Sequence, residues 1–271
     1  MSVQVETNTP METVTFAQKA HEPCEEYVSQ APLEVEPKIL NFNEEVLPNE
    51  QTTIYLNDAK TSYIKISRLP DELRKYAADN FNEMYNLHPK ERHNIILRAE
   101  QVEVYRYQQS YLNTPRLYDP EVLKNKSYMF SSFDTSNNNN ELPEQFNIFY
   151  DWIKSHDDRY NQVVANWYGT GDDWIAYHSD CEIGMVPCAD ITMISLYEKD
   201  NDNDCSKYRT ISFVPKDGVD SIYDKINIVA SHGLVITMCG DCSIQSKFRH
   251  GIEKTDSEVL PRIGLSFRQY K

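Results

Sequence analysis

From Val163 to the C-terminus the chain is a succession of short β-type runs, and this feature most restricts what it can fold into. VVANWY, DITMISLY, YRTISFV, INIVA, LVITM and RIGLSFRQY are rich in Val, Ile, Thr, Tyr and Phe, with Gly, Asn and Asp turns between them. Such spacing leaves no crossover helices for a βαβ unit, so it predicts a sandwich or jelly roll for residues 159–271. Upstream, TTIYL and YIKISRL alternate as strands, and Pro70-Asp71-Glu72-Leu73 opens helical spacing through Tyr76, Phe81, Met84 and Leu87. A second amphipathic helix, Leu142 to Ile153, is introduced by Pro143. Residues 49–158 therefore read as an N-terminal α/β extension, and the expected class is α+β, mainly β.

Residues 1–48 are rich in Glu, Thr, Pro and Gln with few large apolar side chains, and read as an acidic, disordered arm. The net charge of −15 argues at first against a nucleic-acid partner. Its distribution weakens that objection, because residues 1–59 hold eleven acidic side chains against Lys19 and Lys38. Between positions 86 and 126, by contrast, seven cations outnumber five acids and are interleaved with Tyr105, Tyr107, Tyr111 and Tyr118. A solvated surface over a tyrosine-rich core explains this stretch, and so does a substrate platform where cations meet phosphates and tyrosines stack on bases. No run approaches the roughly 18 apolar residues of a membrane helix, and the N-terminus lacks a signal-peptide pattern, so an intracellular protein without membrane contact is expected. The six cysteines are dispersed, as suits free thiols, and a monomer is the expectation.

His178-Ser179-Asp180 places two metal-ligand side chains two residues apart, and on a strand both point to one side. Alone, an H-x-D is more simply a hydrogen-bonded pair. A third ligand must come from His232 or His250. His232, followed by Gly233, has the look of a turn residue, whereas His250 precedes the last strand, where the chain can return beside the first pair. Two imidazoles and one carboxylate leave coordination positions open, which suits Fe(II) oxygenases, where a 2-oxo acid chelates and dioxygen takes the third position. Arg262 and Arg268, six apart, share one strand face with Gly264 and Ser266, while Ile263, Leu265 and Phe267 take the other. Two guanidinium groups along a lane of small residues suit a compact dianion; surface arginines on an edge strand are the bland reading. Asn166 and Tyr168, again two apart, could add an amide and a phenol.

The order Asn166-Trp167-Tyr168, Gly171-Asp172-Asp173, His178-Ser179-Asp180-Cys181-Glu182, His250, then Arg262-Ile-Gly-Leu-Ser-Phe-Arg268 resembles the AlkB family of Fe(II)/2-oxoglutarate dioxygenases. The resemblance covers residues from about 160 to 271, and Thr114-Pro115-Arg116 resembles an upstream element of that family. It implies a double-stranded β-helix (jelly roll) core, an N-terminal substrate-recognition lid, and Fe(II), 2-oxoglutarate and O2 as reactants. It also implies metal ligands His178, Asp180 and His250, and 2-oxoglutarate contacts from Asn166, Tyr168, Arg262 and Arg268. The final arginine would lie near the C1 carboxylate and the earlier one near C5. Glu182, Tyr107 and Arg116 fall in the substrate-binding regions, and the implied reaction is oxidative demethylation of N-alkylated DNA or RNA bases. Three departures bear on substrate: Gly264 stands where relatives often carry a polar residue, Glu253 replaces a proline, and Glu198–Asp204 is an acidic run.

Other readings stay open at this level. The same oxygenase chemistry could serve a protein or small molecule. Cys239 and Cys242 could join Cys181 and Cys188 in a zinc-stabilised binding module, although the spacing of the second pair fits poorly. A redox CxxC lacks its usual βαβ context, and a degenerate jelly roll would not need all these side chains.

Overall fold

The computed structural model describes residues 36–43, 50–92, 94–97, 100–112, 128–130, 141–180, 185–199, 204–239 and 244–271. Fifteen strands and four helices are assigned there. They are β1 (Ile39–Phe42), β2 (Gln51–Tyr55), β3 (Tyr63–Arg68), α1 (Asp71–Asp79), α2 (Phe81–Tyr85), β4 (Asn94–Leu97), β5 (Glu100–Glu103) and β6 (Tyr107–Leu112). There follow β7 (Tyr128–Phe130), α3 (Glu144–His156), β8 (Gln162–Tyr168), β9 (Ile175–His178), β10 (Ile191–Leu196), β11 (Thr210–Pro215) and β12 (Lys225–Val229). The chain closes with β13 (Leu234–Met238), α4 (Ile244–Lys247), β14 (Phe248–Ile252) and β15 (Arg262–Arg268).

Two large sheets face each other. One runs β2-β3-β13-β10-β15-β8-β6 and the other β1-β12-β11-β14-β9, while β5-β4-β7 form a separate small sheet. From β8 onward the chain passes between the two large sheets: β8, β10, β13 and β15 lie in the seven-stranded sheet, and β9, β11, β12 and β14 in the five-stranded one. This is the double-stranded β-helix, and the protein is of the α+β class with a mainly β core. Short polar turns impose the alternation, since each run is too short to do more than cross one sheet once.

Two apolar clusters account for three layers. Leu73, Ala77, Phe81, Met84, Phe146, Phe149 and Ile153 from the helices pack on Trp167, Ile194, Leu196, Ile263, Leu265 and Phe267 of the seven-stranded sheet. On the other side of that sheet Ile64, Ile66, Ile191, Ile236 and Met238 meet Ile211, Phe213, Ile226, Ile228 and Phe248 of the five-stranded one. Both helix starts follow from sequence: Pro70 and Pro143 occupy the N-cap positions, with Asp71, Glu72 and Glu144 in the first turns, where their charge favours the helix dipole. Trp167 is fully buried, and its indole N–H donates to the Met84 carbonyl at 3.0 Å, joining the sheet to α2.

Three features differ from the sequence reading. The helical spacing through Leu87 is divided at Asn80 into α1 and α2. Ile39–Phe42 lies inside the segment expected to be an arm, yet it pairs in parallel with β12 and buries Phe42. Its brief apolar run, ILNF, is enough to add an edge strand where the sheet already offers a row of backbone partners. Three strands of the expected extension, β2, β3 and β6, also belong to the seven-stranded sheet.

Candidate functional site

The β9–β14 pairing sets His178 directly opposite His250, with their ring centroids 4.4 Å apart. The register shifts just beyond this pair, so that Gly251 meets the extra residue of β9. A Cβ at Gly251 would lie 2.8 Å from the Ile175 carbonyl oxygen and 3.1 Å from the Tyr177 nitrogen, so glycine is what lets the strands close together. Asp180 lies two residues beyond β9, where the chain is held at two points: Ser179 Oγ donates to the Phe248 carbonyl at 3.0 Å, and the Asp180 N–H donates to Gln245 Oε1 at 2.8 Å.

These constraints bring three donor atoms together. Asp180 Oδ1 is 4.0 Å from His178 Nε2, and Oδ2 is 3.8 Å from His250 Nε2. All three side chains offer ligand atoms within 4.8 Å of one another, as no other trio of His, Cys, Asp and Glu does among the described residues. The ring orientation is fixed as well: His178 Nδ1 faces the Ala176 carbonyl at 2.8 Å, so Nδ1 carries the proton and Nε2 presents its lone pair. Burial, then the facing His178, hold His250 down to about 3, with Arg268 acting the same way and Asp180 opposing. Burial likewise lowers His178. For Asp180 burial raises the pKa, but Arg268, His250 and His178 together outweigh it and keep the carboxylate ionised. Arg268 Nη2 donates to Oδ1 at 2.8 Å, whereas Oδ2 is buried with no hydrogen-bond partner. Two neutral imidazoles and an orphaned carboxylate oxygen aimed into one small space are a donor set that fits a divalent metal.

The second predicted set lies on the inner face of β8 and β15. Arg262 is opposite Tyr168 and Gly264 opposite Asn166. Arg262 is buried; its Nε and Nη2 donate to Ser195 Oγ at 3.3 and 3.0 Å, and its guanidinium rests 5.2 Å from the Tyr168 ring centre. A Cβ at Gly264 would sit 3.1 Å from Arg262 Nη2, so the small residue in the lane makes room for this arginine. Asn166 Oδ1 accepts from Arg106 Nε at 2.9 Å, and Arg106 Nη2 donates to Gln108 at 2.8 Å.

The structure separates other candidates from this site. His232 has both ring nitrogens committed to backbone, Nδ1 accepting from the Tyr197 N–H and Nε2 donating to the Arg74 carbonyl, each at 3.0 Å. Tyr107 is opposite Trp167, not Asn166, and so points to the helix side. There it stacks on His88 at 4.2 Å, on the side of β6 away from the face that Gln108 shares with Asn166. The basic and aromatic composition drew attention to the stretch, but strand parity gives the inner face to Gln108. Glu182, Arg116, Cys181 and Cys242 lie outside the described residues. Cys188 and Cys205 are exposed and Cys239 is buried. Sequence reasoning missed Arg106, Ser195 and Arg209, which strand pairing brings near the site, and Gln245, which the short helix before β14 presents to Asp180; no local motif marks any of them.

No protein-family model and no curated protein matches the chain. Solved structures do. An oxidoreductase of the 2OG-Fe(II) oxygenase family from Burkholderia pseudomallei is 11% identical over 76% of this chain and 85% of its own, with a TM-score of 0.39. A Pseudomonas putida prolyl-4-hydroxylase is 13% identical over 79% and 95%, with a TM-score of 0.41. A Trichoplax adhaerens prolyl hydroxylase, in complex with a hypoxia inducible factor oxygen degradation domain peptide fragment, is 9% identical over 76% and 83%, with a TM-score of 0.46.

Proposed function

We propose that this protein is an Fe(II)- and 2-oxoglutarate-dependent dioxygenase. The carrying observation is the meeting of His178 Nε2, His250 Nε2 and the unpartnered Asp180 Oδ2 between two sheets. His178, Asp180 and His250 would hold the metal through one face, leaving the opposite positions for a bidentate 2-oxo acid and dioxygen. When loaded, such a centre couples oxidative decarboxylation of 2-oxoglutarate, which gives succinate and carbon dioxide, to oxidation of a substrate C–H bond.

The chain's own residues divide the remaining work. Arg268, beside Asp180, would orient the C1 carboxylate, and Arg262 would receive the distal one from the Tyr168 end of the strand. The Asn166 carbonyl is taken by Arg106, which leaves the amide N–H groups to face the co-substrate. Ala176 keeps the metal-facing nitrogen of His178 unprotonated.

For the substrate, the reading carried by the AlkB resemblance is an N-methyl group on a DNA or RNA base. One oxygen atom of O2 would enter succinate and the other the methyl group, and the resulting hydroxymethylamine would release formaldehyde. Glu182 and Arg116 remain the proposed substrate contacts. The net charge of −15 favours a second reading, a protein or small-molecule substrate for the same chemistry.

Anaerobic addition of Fe(II) and 2-oxoglutarate is expected to produce the metal-to-ligand charge-transfer band of the chelate, lost in His178→Ala. Its absence from folded, iron-loaded protein defeats the proposal. Titration with short single-stranded oligonucleotides at low salt separates the two substrates, since no binding there removes the nucleic-acid version.

A further inference from the structure

Arg209 lies immediately before β11 and is 2% exposed, among the most deeply buried large side chains of the protein. Its Nη1 donates to the Thr170 carbonyl at 2.9 Å and its Nη2 to the Glu253 carbonyl at 2.7 Å. The same guanidinium lies 5.8 Å from the centre of the Tyr168 ring, the ring that Arg262 approaches to 5.2 Å. Among the described residues no carboxylate forms an ion pair with either arginine; neutral oxygens of backbone and Ser195 receive their N–H groups. These bonds satisfy donors but do not neutralise charge. Two cations enclosed around one phenol repel each other and have lost most of their hydration, an arrangement that is costly until an anion joins it. Burial and then the neighbouring Arg262 lower the Arg209 pKa, and they outweigh the opposing influence of Tyr168, Tyr197 and Asp173, a carboxylate whose ion-pair partner is Arg92.

We infer that Arg209 is the second cation of the receptor for the distal carboxylate, selecting 2-oxo dicarboxylates over 2-oxo acids with an apolar end. It acts mainly through its field, because Thr170 and Glu253 each hold one of its two terminal nitrogens in place, and is therefore a positioning and specificity-determining residue. The inference rests on the co-substrate site proposed above. Serine and backbone oxygens alone would give no reason to enclose a double positive charge at this end, whereas Asp180 already balances Arg268 at the other.

The test compares 2-oxoglutarate with 2-oxopentanoate, which has the same carbon chain but a methyl group in place of the distal carboxylate. Binding of each to the full Mn(II)-loaded chain is measured by calorimetry, for the unaltered protein, Arg209→Gln and Arg209→Lys. The unaltered protein is expected to prefer the dicarboxylate by about a hundredfold or more. In Arg209→Gln that preference should fall by at least about tenfold with 2-oxopentanoate affinity little changed, while Arg209→Lys should keep it within about threefold. A purely structural tie between the Thr170 and Glu253 loops would weaken both ligands equally, and that result overturns the inference. Should circular dichroism show that Arg209→Gln does not fold, Arg209→Lys decides: a retained preference supports a role for charge, and a lost one refutes it. Equal binding of the two acids by the unaltered protein also refutes this inference while leaving the oxygenase reading intact. Failure of the unaltered, metal-loaded protein to bind either acid removes the oxygenase reading and this inference with it.

Discussion

The two sides of β15 are built from one heptapeptide and do opposite work. Toward the helices, Ile263, Leu265 and Phe267 are fully buried in hydrocarbon among Phe146, Phe149 and Trp167. Toward the second sheet, Arg262 and Arg268 enclose two small residues, Gly264 and Ser266. Both sides are shielded from water, yet only the first gains from the shielding. Apolar area contributes about 25 cal/mol per Å² on burial, whereas a buried guanidinium must recover its hydration from partners. The contrast teaches that strand parity separates two kinds of burial: one face holds the sheet to its helices, and the other carries two cations, of which Arg268 is paired with Asp180 and Arg262 has only neutral partners.

The largest effect that could break this comparison is expected from Phe267→Ala, which should destabilise the fold by about 3–5 kcal/mol in chemical denaturation through the cavity it leaves. A loss under about 1 kcal/mol would mean that the helix side is not the source of stability. On the other face, Arg262→Met should weaken 2-oxoglutarate by over a hundredfold, about 3 kcal/mol, and leave the melting temperature unchanged or raised. If it melts as early as Phe267→Ala, the polar face is scaffold too. Alkaline titration sharpens the helix side further. Burial pushes Tyr160 up to about 12 against the opposing hydrogen bond from Thr192, and burial also raises Tyr111. Their phenols favour the folded state fully below pH 10, and that contribution is lost as the pH rises toward 12, because only the unfolded chain ionises in that window. For Tyr160 the loss is at most roughly 2.7 kcal/mol, and thermal melts of Tyr160→Phe should be flatter over this range. The smallest effect belongs to the solvent: Lys75→Ala removes an exposed pair with Asp79 on α1 and should change stability by no more than about 0.5 kcal/mol.

Much of this division was legible from parity alone. The alternation in RIGLSFR follows from a period of two, which any strand obeys, whereas Asp180 lies beyond the end of β9 and is brought to the histidines by the bonds of Ser179 and of its own N–H. The jelly roll was legible because its runs were short and its turns polar. Position within the sheet was less so. Tyr107 and Gln108 differ by one residue and face opposite sides, and no composition argument can choose between them. Arg106 and Arg209 reach the site only because β6 lies beside β8 and β11 beside β14, pairings separated by many residues in sequence. The choice of His250 over His232 leaned on resemblance; the structure supplies a physical contrast in the two backbone bonds that occupy His232. Ile39–Phe42 was hidden by the acidic residues around it, since a four-residue edge strand draws its stability from the sheet it joins.

Gly251 carries a consequence for how such a site could be lost. The distance between the two imidazoles is governed there by an absence of volume, with backbone touching backbone where any side chain would intrude. A single methyl group at 251 would act as a wedge, prising β14 from β9 and spreading His178 from His250 while every donor atom stayed in the chain. On the proposed reading, capacity for metal would then vanish without a ligand having changed, and an inventory of site residues would still read as complete.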